Sequence, residues 1–375
     1  MSGMQSFQIN FDNPQCTYFG GEMVTGRLHI RLERSTRTRG IELKFRGEAR
    51  VYWEKKIKEK DEEGNSLMSI EEHTSHELYF DTPFYVLGGP SSDILLQPGE
   101  HIYNFNMQLP SVLPSSFEGK LGYIRYTLLA TLIQDVHANM VAKSAFTVLC
   151  PLDLNREQNV KNPVMISDDK FLCCCCCKSG PITCALSLPA TGFAPGQEIP
   201  FSLEVENYSN STVRSIHFSL IKNVSFTVTR PKKETETEST KVVQMVLNGV
   251  ASNDKYSWTE RLEVPSLPPS YLKHCTIIDI AYSLEVEVKI SGLHKNMFIR
   301  VPIVIGTVPL ATQASNSSGG RPEQFIPAAV PTAPPAYEDC MLGAVNIQER
   351  GDVQNLQGNL KFAPRYPVYR TQMPC

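Results

Sequence analysis

The chain has 375 residues, 41% of them hydrophobic, and a formal net charge of −3. That length suits two or three domains of about 150 residues each, and the apolar content is enough to fill ordinary cores. The near-neutral balance gives no global pull toward nucleic acid, which is therefore not expected as a partner.

No apolar run nears the roughly 18 residues of a membrane-spanning helix. The opening stretch, MSGMQSFQINFDN, lacks the basic start and apolar core of a signal peptide, so a cytosolic location is expected. The eleven cysteines then read as mostly reduced thiols. On the same reasoning the Asn-x-Ser/Thr triplets at Asn207, Asn210, Asn223 and Asn316 stay unglycosylated.

In chain order, Phe7–Asn10 alternates apolar and polar residues, and Asp12-Asn13-Pro14 marks a turn. Glu22–Leu32 sets Val24, Gly26, Leu28, Ile30 and Leu32 against polar neighbours, the period of a half-buried strand. Ile41, Leu43 and Phe45 alternate again, and Val51 and Trp53 mark a third run. Val51–Glu77 is the longest polar insertion. It holds Lys55, Lys56, Lys58 and Lys60 among Glu54, Glu59, Asp61, Glu62 and Glu63. Such cancelling charges suit a solvated hairpin tip. The functional alternative is a mobile cargo loop touching acidic tails or lipid headgroups.

The pattern then repeats. An offset of 175 residues places Gly21 on Gly196, Val24 on Ile199, Leu28 on Leu203 and Phe45 on Leu220. Further on the offset falls to 155, laying Leu109–Ser115 over Val264–Ser270, and Tyr126 then lies over Tyr282. Both copies are short alternating runs separated by Gly, Pro, Asn and Ser turns, without a sustained helical period. The prediction is an all-β chain of two tandem immunoglobulin-like antiparallel β-sandwiches. The expected divisions are a first sandwich over 1–150, a linker over 151–178, a second sandwich over 179–309 and a tail over 310–375. The tail's composition predicts disorder, with nothing packed beyond Tyr337.

Five consecutive cysteines, Cys173, Cys174, Cys175, Cys176 and Cys177, end the linker. Three readings stand: sites of S-acylation, metal ligands, or small apolar fillers at an interdomain seam. No spaced second Cys or His pair completes a tetrahedral set, so no metal is expected. A redox role through a mixed disulfide with thioredoxin needs an accessible, low-pKa thiol. Cys184 and Cys275 fall in or beside predicted strands, where burial is expected.

Nothing points to catalysis. There is no HExxH pair and no GxSxG elbow. Gly21–Gly26 has the glycine spacing of a phosphate loop, but Arg27-Leu28 stands where Lys-Ser/Thr is needed. No catalytic residue and no cofactor is expected.

The tail holds two overlapping short motifs. Pro331, Thr332, Ala333 and Pro334 spell PTAP; Pro334, Pro335, Ala336 and Tyr337 spell PPxY. Clustered prolines favour an extended polyproline II form, which loses little entropy on docking to aromatic grooves. The plain alternative is a proline-rich spacer. PTAP resembles the late motif read by the UEV domain of the ESCRT-I complex. PPxY resembles the motif read by WW domains, notably those of HECT-type ubiquitin ligases. Tyr366-Pro367-Val368-Tyr369 lacks the first proline of a second such motif, and Lys361 is the only lysine after Pro309.

Phe7–Pro14, Tyr18, Gly21-Glu22, Val24 and Gly26-Arg27-Leu28 together resemble the α-arrestins, the arrestin domain-containing proteins that include thioredoxin-interacting protein. Gly40-Ile41 and Gly47-Glu48-Ala49 continue the match, followed in the second copy by Ser179–Ile182, Phe193, Pro195-Gly196-Gln197 and Val205-Glu206-Asn207. The resemblance implies arrestin-like N and C domains without catalysis of their own. It implies an adaptor that binds membrane receptor or transporter cargo and recruits WW-bearing ubiquitin ligases for endocytosis and sorting. Peripheral plasma-membrane and endosomal association would follow. The PTAP overlap is closer to members linked to ESCRT and vesicle budding. The family usually carries two PPxY motifs, and only one is intact here. The alternative the family offers is a redox-linked, thioredoxin-binding regulator.

Overall fold

The computed structural model describes residues 4–60, 66–135, 137–174, 177–311, 335–349, 351–352 and 356–370. Two β-sandwiches follow one another. In the first, Met4–Phe11, Met23–Leu32 and Gly99–Gln108 form a three-stranded antiparallel sheet. It faces a larger sheet ordered Thr17–Phe19, Met140–Leu149, Gly122–Ile133, Gly40–Lys60, Ser66–Gly88, with Phe117–Glu118 paired to Gly122–Ile133. Along Met23–Leu32 the burial alternates as the sequence predicts, with Val24, Leu28 and Ile30 fully enclosed. Phe45, Tyr126 and Phe146 fill the space between the sheets, their rings about 6 Å apart. Gly47 is required there, because a Cβ would stand 2.6 Å from Phe80 and 2.7 Å from Tyr126.

In the second sandwich, Val164–Lys170, Ile182–Leu188, Glu198–Asn207 and Asp254–Glu263 form a four-stranded sheet. Its partner is ordered Gly192–Phe193, Met297–Ile305, Ile278–Ile290, Val213–Val228, Glu234–Val250. Phe201 and Phe218 stack across the two sheets at 3.7 Å.

The duplication read from inward-facing residues extends to hydrogen bonds that periodicity does not reveal. Gly21 and Gly196 both have φ +83°. The next residue of each, Glu22 and Gln197, accepts a side-chain bond from the amide of Phe19 or Ala194 at 2.8 Å. The main-chain carbonyls of Glu22 and Gln197 accept from Leu109 and Val264 at 2.9 Å. Ser115 Oγ accepts from Cys150 N, and Ser270 Oγ from Ile305 N, both at 2.9 Å. In each copy a short strand, Thr17–Phe19 or Gly192–Phe193, pairs in parallel with the last strand.

Three stretches differ from the sequence reading. Within the segment expected as linker, Val164–Lys170 pairs with Ile182–Leu188 and forms an edge of the second sandwich. Leu152, Leu154 and Val160 pack against Val304. Its polar residues misled because one face of an edge strand stays in water and tolerates charge.

Second, Val51–Glu77 is a hairpin in its described part, as one of the two readings has it, and not the mobile loop of the other; what differs is that it is docked and not simply solvated. It belongs to a long hairpin of Gly40–Lys60 and Ser66–Gly88 that reaches the second sandwich. Thr74 exchanges backbone hydrogen bonds with Arg230, and Ser75 Oγ lies 3.0 Å from Thr229 Oγ1. Trp53 stacks on buried His73 at this junction.

Third, the chain beyond Tyr337 packs. Ala336–Asp339 pairs with Arg365–Val368, and Val345–Asn346 with Lys361–Phe362. Cys340, Ile347, Phe362, Tyr366 and Val368 are buried. These apolar residues are too widely spaced to set up a readable period, and their ladders are too short to be read alone.

Candidate functional site, the seated tail

The PPxY residues lie where the tail returns to the body. Among the described residues the strand Ala336–Asp339 has a single partner, Arg365–Val368, in register Ala336 to Val368 and Tyr337 to Pro367. Pro367 has no N–H to contribute to the ladder opposite Tyr337. Pro335 and Tyr337 are half-buried and Ala336 is exposed. Burial raises the Tyr337 phenol pKa, with Glu22 adding to the rise.

The partner strand is what fixes this arrangement. Tyr366 is enclosed against Leu149 and Cys340, with Phe19 and Tyr337 packed alongside. Its hydroxyl donates to the Ser116 carbonyl at 3.0 Å. Arg365 donates from its amide to Thr147 Oγ1, from Nε to Asp339 and from Nη1 to the carbonyls of Pro14 and Gln15. Tyr369 donates its amide to Pro195 and its hydroxyl to Thr307, at 2.8 and 2.7 Å. On the other side, Met341 N donates to the Ser266 carbonyl, and Ser266 Oγ donates to that of Glu338. The tail therefore bonds to both sandwiches at once.

A second set of contacts is electrostatic. Arg125 and Lys143 are almost enclosed in the first sandwich. Arg125 forms a two-pronged pair with Glu118 at 2.8 Å, and its Nη1 lies 3.4 Å from Glu349 of the tail. Lys143 Nζ lies 2.9 Å from Asp352, and Tyr123 donates to Glu349 at 2.9 Å. Buried pairs of this kind are costly to break one-sidedly, because the remaining charge loses its partner without regaining water.

The other sequence candidates separate cleanly. Pro331, Thr332, Ala333 and Pro334 lie outside the described residues. Lys55 is bound to Glu234 and Glu236 of the second sandwich, while Lys56 and Lys58 are exposed. The backbone of Cys173–Cys174 pairs with Cys177–Lys178 in a minimal ladder; Cys175 and Cys176 lie outside the described residues. Cys184 is fully enclosed and burial pushes its thiol up to about 12. Burial also raises the thiols of Cys16, Cys150, Cys275 and Cys340. Sequence reasoning did not find Tyr366 as an anchor, nor the Arg125 and Lys143 contacts. The available signal was the aromatic and apolar content of Phe362–Tyr369 in an otherwise polar tail.

Comparison with known proteins agrees with this architecture. The arrestin (or S-antigen) N-terminal domain family matches residues 7–155, and the arrestin (or S-antigen) C-terminal domain family matches residues 178–310. Arrestin domain-containing protein 17 of Caenorhabditis elegans is 27% identical, over 98% of this chain and 100% of its own. Arrestin domain-containing protein 1 of Homo sapiens is 26% identical, over 90% and 73%. Arrestin domain-containing protein 4 of Homo sapiens is 28% identical, over 88% and 79%.

Proposed function

This chain belongs to the α-arrestin family of arrestin domain-containing proteins and is an arrestin-like adaptor, and we propose that its tail recruits WW-domain HECT ubiquitin ligases to membrane cargo held by the sandwiches. The supporting observation is where Pro335 and Tyr337 lie. They sit on a two-stranded ladder outside both sandwiches, with Ala336 open to solvent. Lifting that strand frees the motif without breaking either domain's sheets. A WW domain needs the tyrosine ring for its own pocket, so binding requires the strand to leave Arg365–Val368. Tethering a ligase beside its cargo then makes transfer quasi-intramolecular. PTAP would recruit ESCRT-I through its UEV domain in the same way, and sorting at the plasma membrane and endosomes would follow.

The test is a titration of the full chain with an isolated WW domain. Tyr337→Ala should abolish WW binding and leave UEV binding intact, and Thr332→Ala should do the reverse. Equal WW affinity for Tyr337→Ala and wild type would refute the assignment. At Cys16, Cys150, Cys184, Cys275 and Cys340 burial raises the thiol, so these five positions give the redox reading no support.

A further inference from the structure

The two sandwiches and the tail line an open cleft of about 320 Å³ where they meet. Phe117 of the first sandwich, Val224 and Phe226 of the second, and Leu342, Val345 and Pro364 of the tail form its apolar walls. One charged side chain among them is unusual. Lys222 is 5% exposed, and among the described residues it has no ion-pair or hydrogen-bond partner. Its ammonium lies 5.7 Å from the centre of the Phe117 ring. Other enclosed cations of this protein do not stand alone: Lys143 is held by Asp352, and Arg125 by Glu118. Half-exposed Glu238 acts on Lys222 without forming an ion pair, and a largely buried ammonium so weakly countered is costly; a face-on ring compensates it only in part.

The composition of the cavity limits what would complete it. Glu118 lines the wall, but Arg125 already neutralises it with two bonds of 2.8 Å. Glu238 lines it also and remains half-exposed. Exposed Lys120 lines the mouth as well, so with Glu118 neutralised the lining carries two lysines against Glu238, one net positive charge, and a doubly charged phosphate would exceed it. The volume lies near the lower end of the roughly 300–1,000 Å³ typical of small-molecule sites. We propose that this cleft binds an organic monocarboxylate with an apolar body, of the medium-chain fatty-acid class, with its carboxylate on Lys222 and its chain against Leu342 and Val345. The tail supplies one wall, so the carboxylate binds the seated tail and opposes its release. The site itself does not depend on the WW reading.

Calorimetric titration of the full chain with octanoate tests this, with octanol as the uncharged control. One saturable site is expected for octanoate, with octanol at least tenfold weaker. Lys222→Met should lose at least tenfold in octanoate affinity, and Lys222→Arg should retain most of it. Val345→Trp, which fills the cavity from the tail and leaves Lys222 in place, should also abolish binding. Thermal melts establish that each variant is folded. Unchanged octanoate affinity in folded Lys222→Met or folded Val345→Trp would overturn the proposal, as would the absence of saturable binding to the wild type.

Discussion

Two glycines show how far equivalent positions have diverged. Gly21 and Gly196 share φ +83°, a region where a side chain costs roughly 1–2 kcal/mol. A Cβ on Gly21 would meet nothing nearer than Ser111 at 3.8 Å. On Gly196 it would meet Val368 at 2.7 Å and the backbone of Tyr369 at 2.8 Å, where the tail crosses. Gly21→Ala should therefore lower the melting temperature alone, whereas Gly196→Ala should also speed proteolysis of residues 336–370. Lys222 gives a second prediction at this scale. Desolvation depresses its pKa from the usual 10.5, with Cys340 and Glu238 opposing. Between the depressed value and 10.5 the unfolded chain holds more protons, so this group's destabilisation is complete below that window and fades as pH rises through it. Lys222→Met should raise the melting temperature near neutral pH, and its advantage should shrink in alkaline melts.

The tail strand pair is the element on which activity turns. Tyr366→Ala removes a fully enclosed ring and its bond to Ser116, a loss of about 3–5 kcal/mol for seating the tail. Since the ring belongs to neither sandwich, the main melting transition should move little. WW affinity should rise tenfold or more, because a larger fraction of molecules then presents Tyr337. The residues that look like a failed second PPxY motif, Tyr366–Tyr369, thus have a structural role: they hold down the intact one. This part of the fold was poorly legible in the sequence. Strands such as Met23–Leu32 declare themselves because one face meets a core and the other meets water. Ala336–Asp339 pairs with one short strand among the described residues, and its burial follows no period. The motif itself was legible, since Pro334, Pro335 and Tyr337 are chemically distinctive, but its half-buried state depends on Tyr366, 29 residues onward. The hairpin at Val51–Glu77 was legible, but its docking on the second sandwich was not, for a related reason. The charges on Lys55 and its neighbours read as solvated until Glu234 and Glu236 of the other sandwich are brought beside Lys55.

In the whole molecule, that hairpin and the tail join the same two bodies at different places. Glu234→Lys would set like charges together at the hairpin contact and should accelerate hydrogen exchange of the Thr74 amide, which donates to Arg230 at 2.9 Å. Adding Lys55→Glu reverses both signs and should restore slow exchange. Because PTAP and PPxY share Pro334, UEV and WW domains should compete for one tail; native mass spectrometry showing both on a single chain would contradict this. The anchoring of Ala311, whose amide donates to Asn155 at 2.8 Å, carries a topological consequence. Ala311 and the segment from Pro335 onward are each held by the body through their own contacts. A protease that cuts once between them severs the polypeptide but not the particle. The two fragments should co-elute in gel filtration, and dilution should part them, which would measure the intrinsic grip of the C-terminal piece without the local concentration that the intact connection provides.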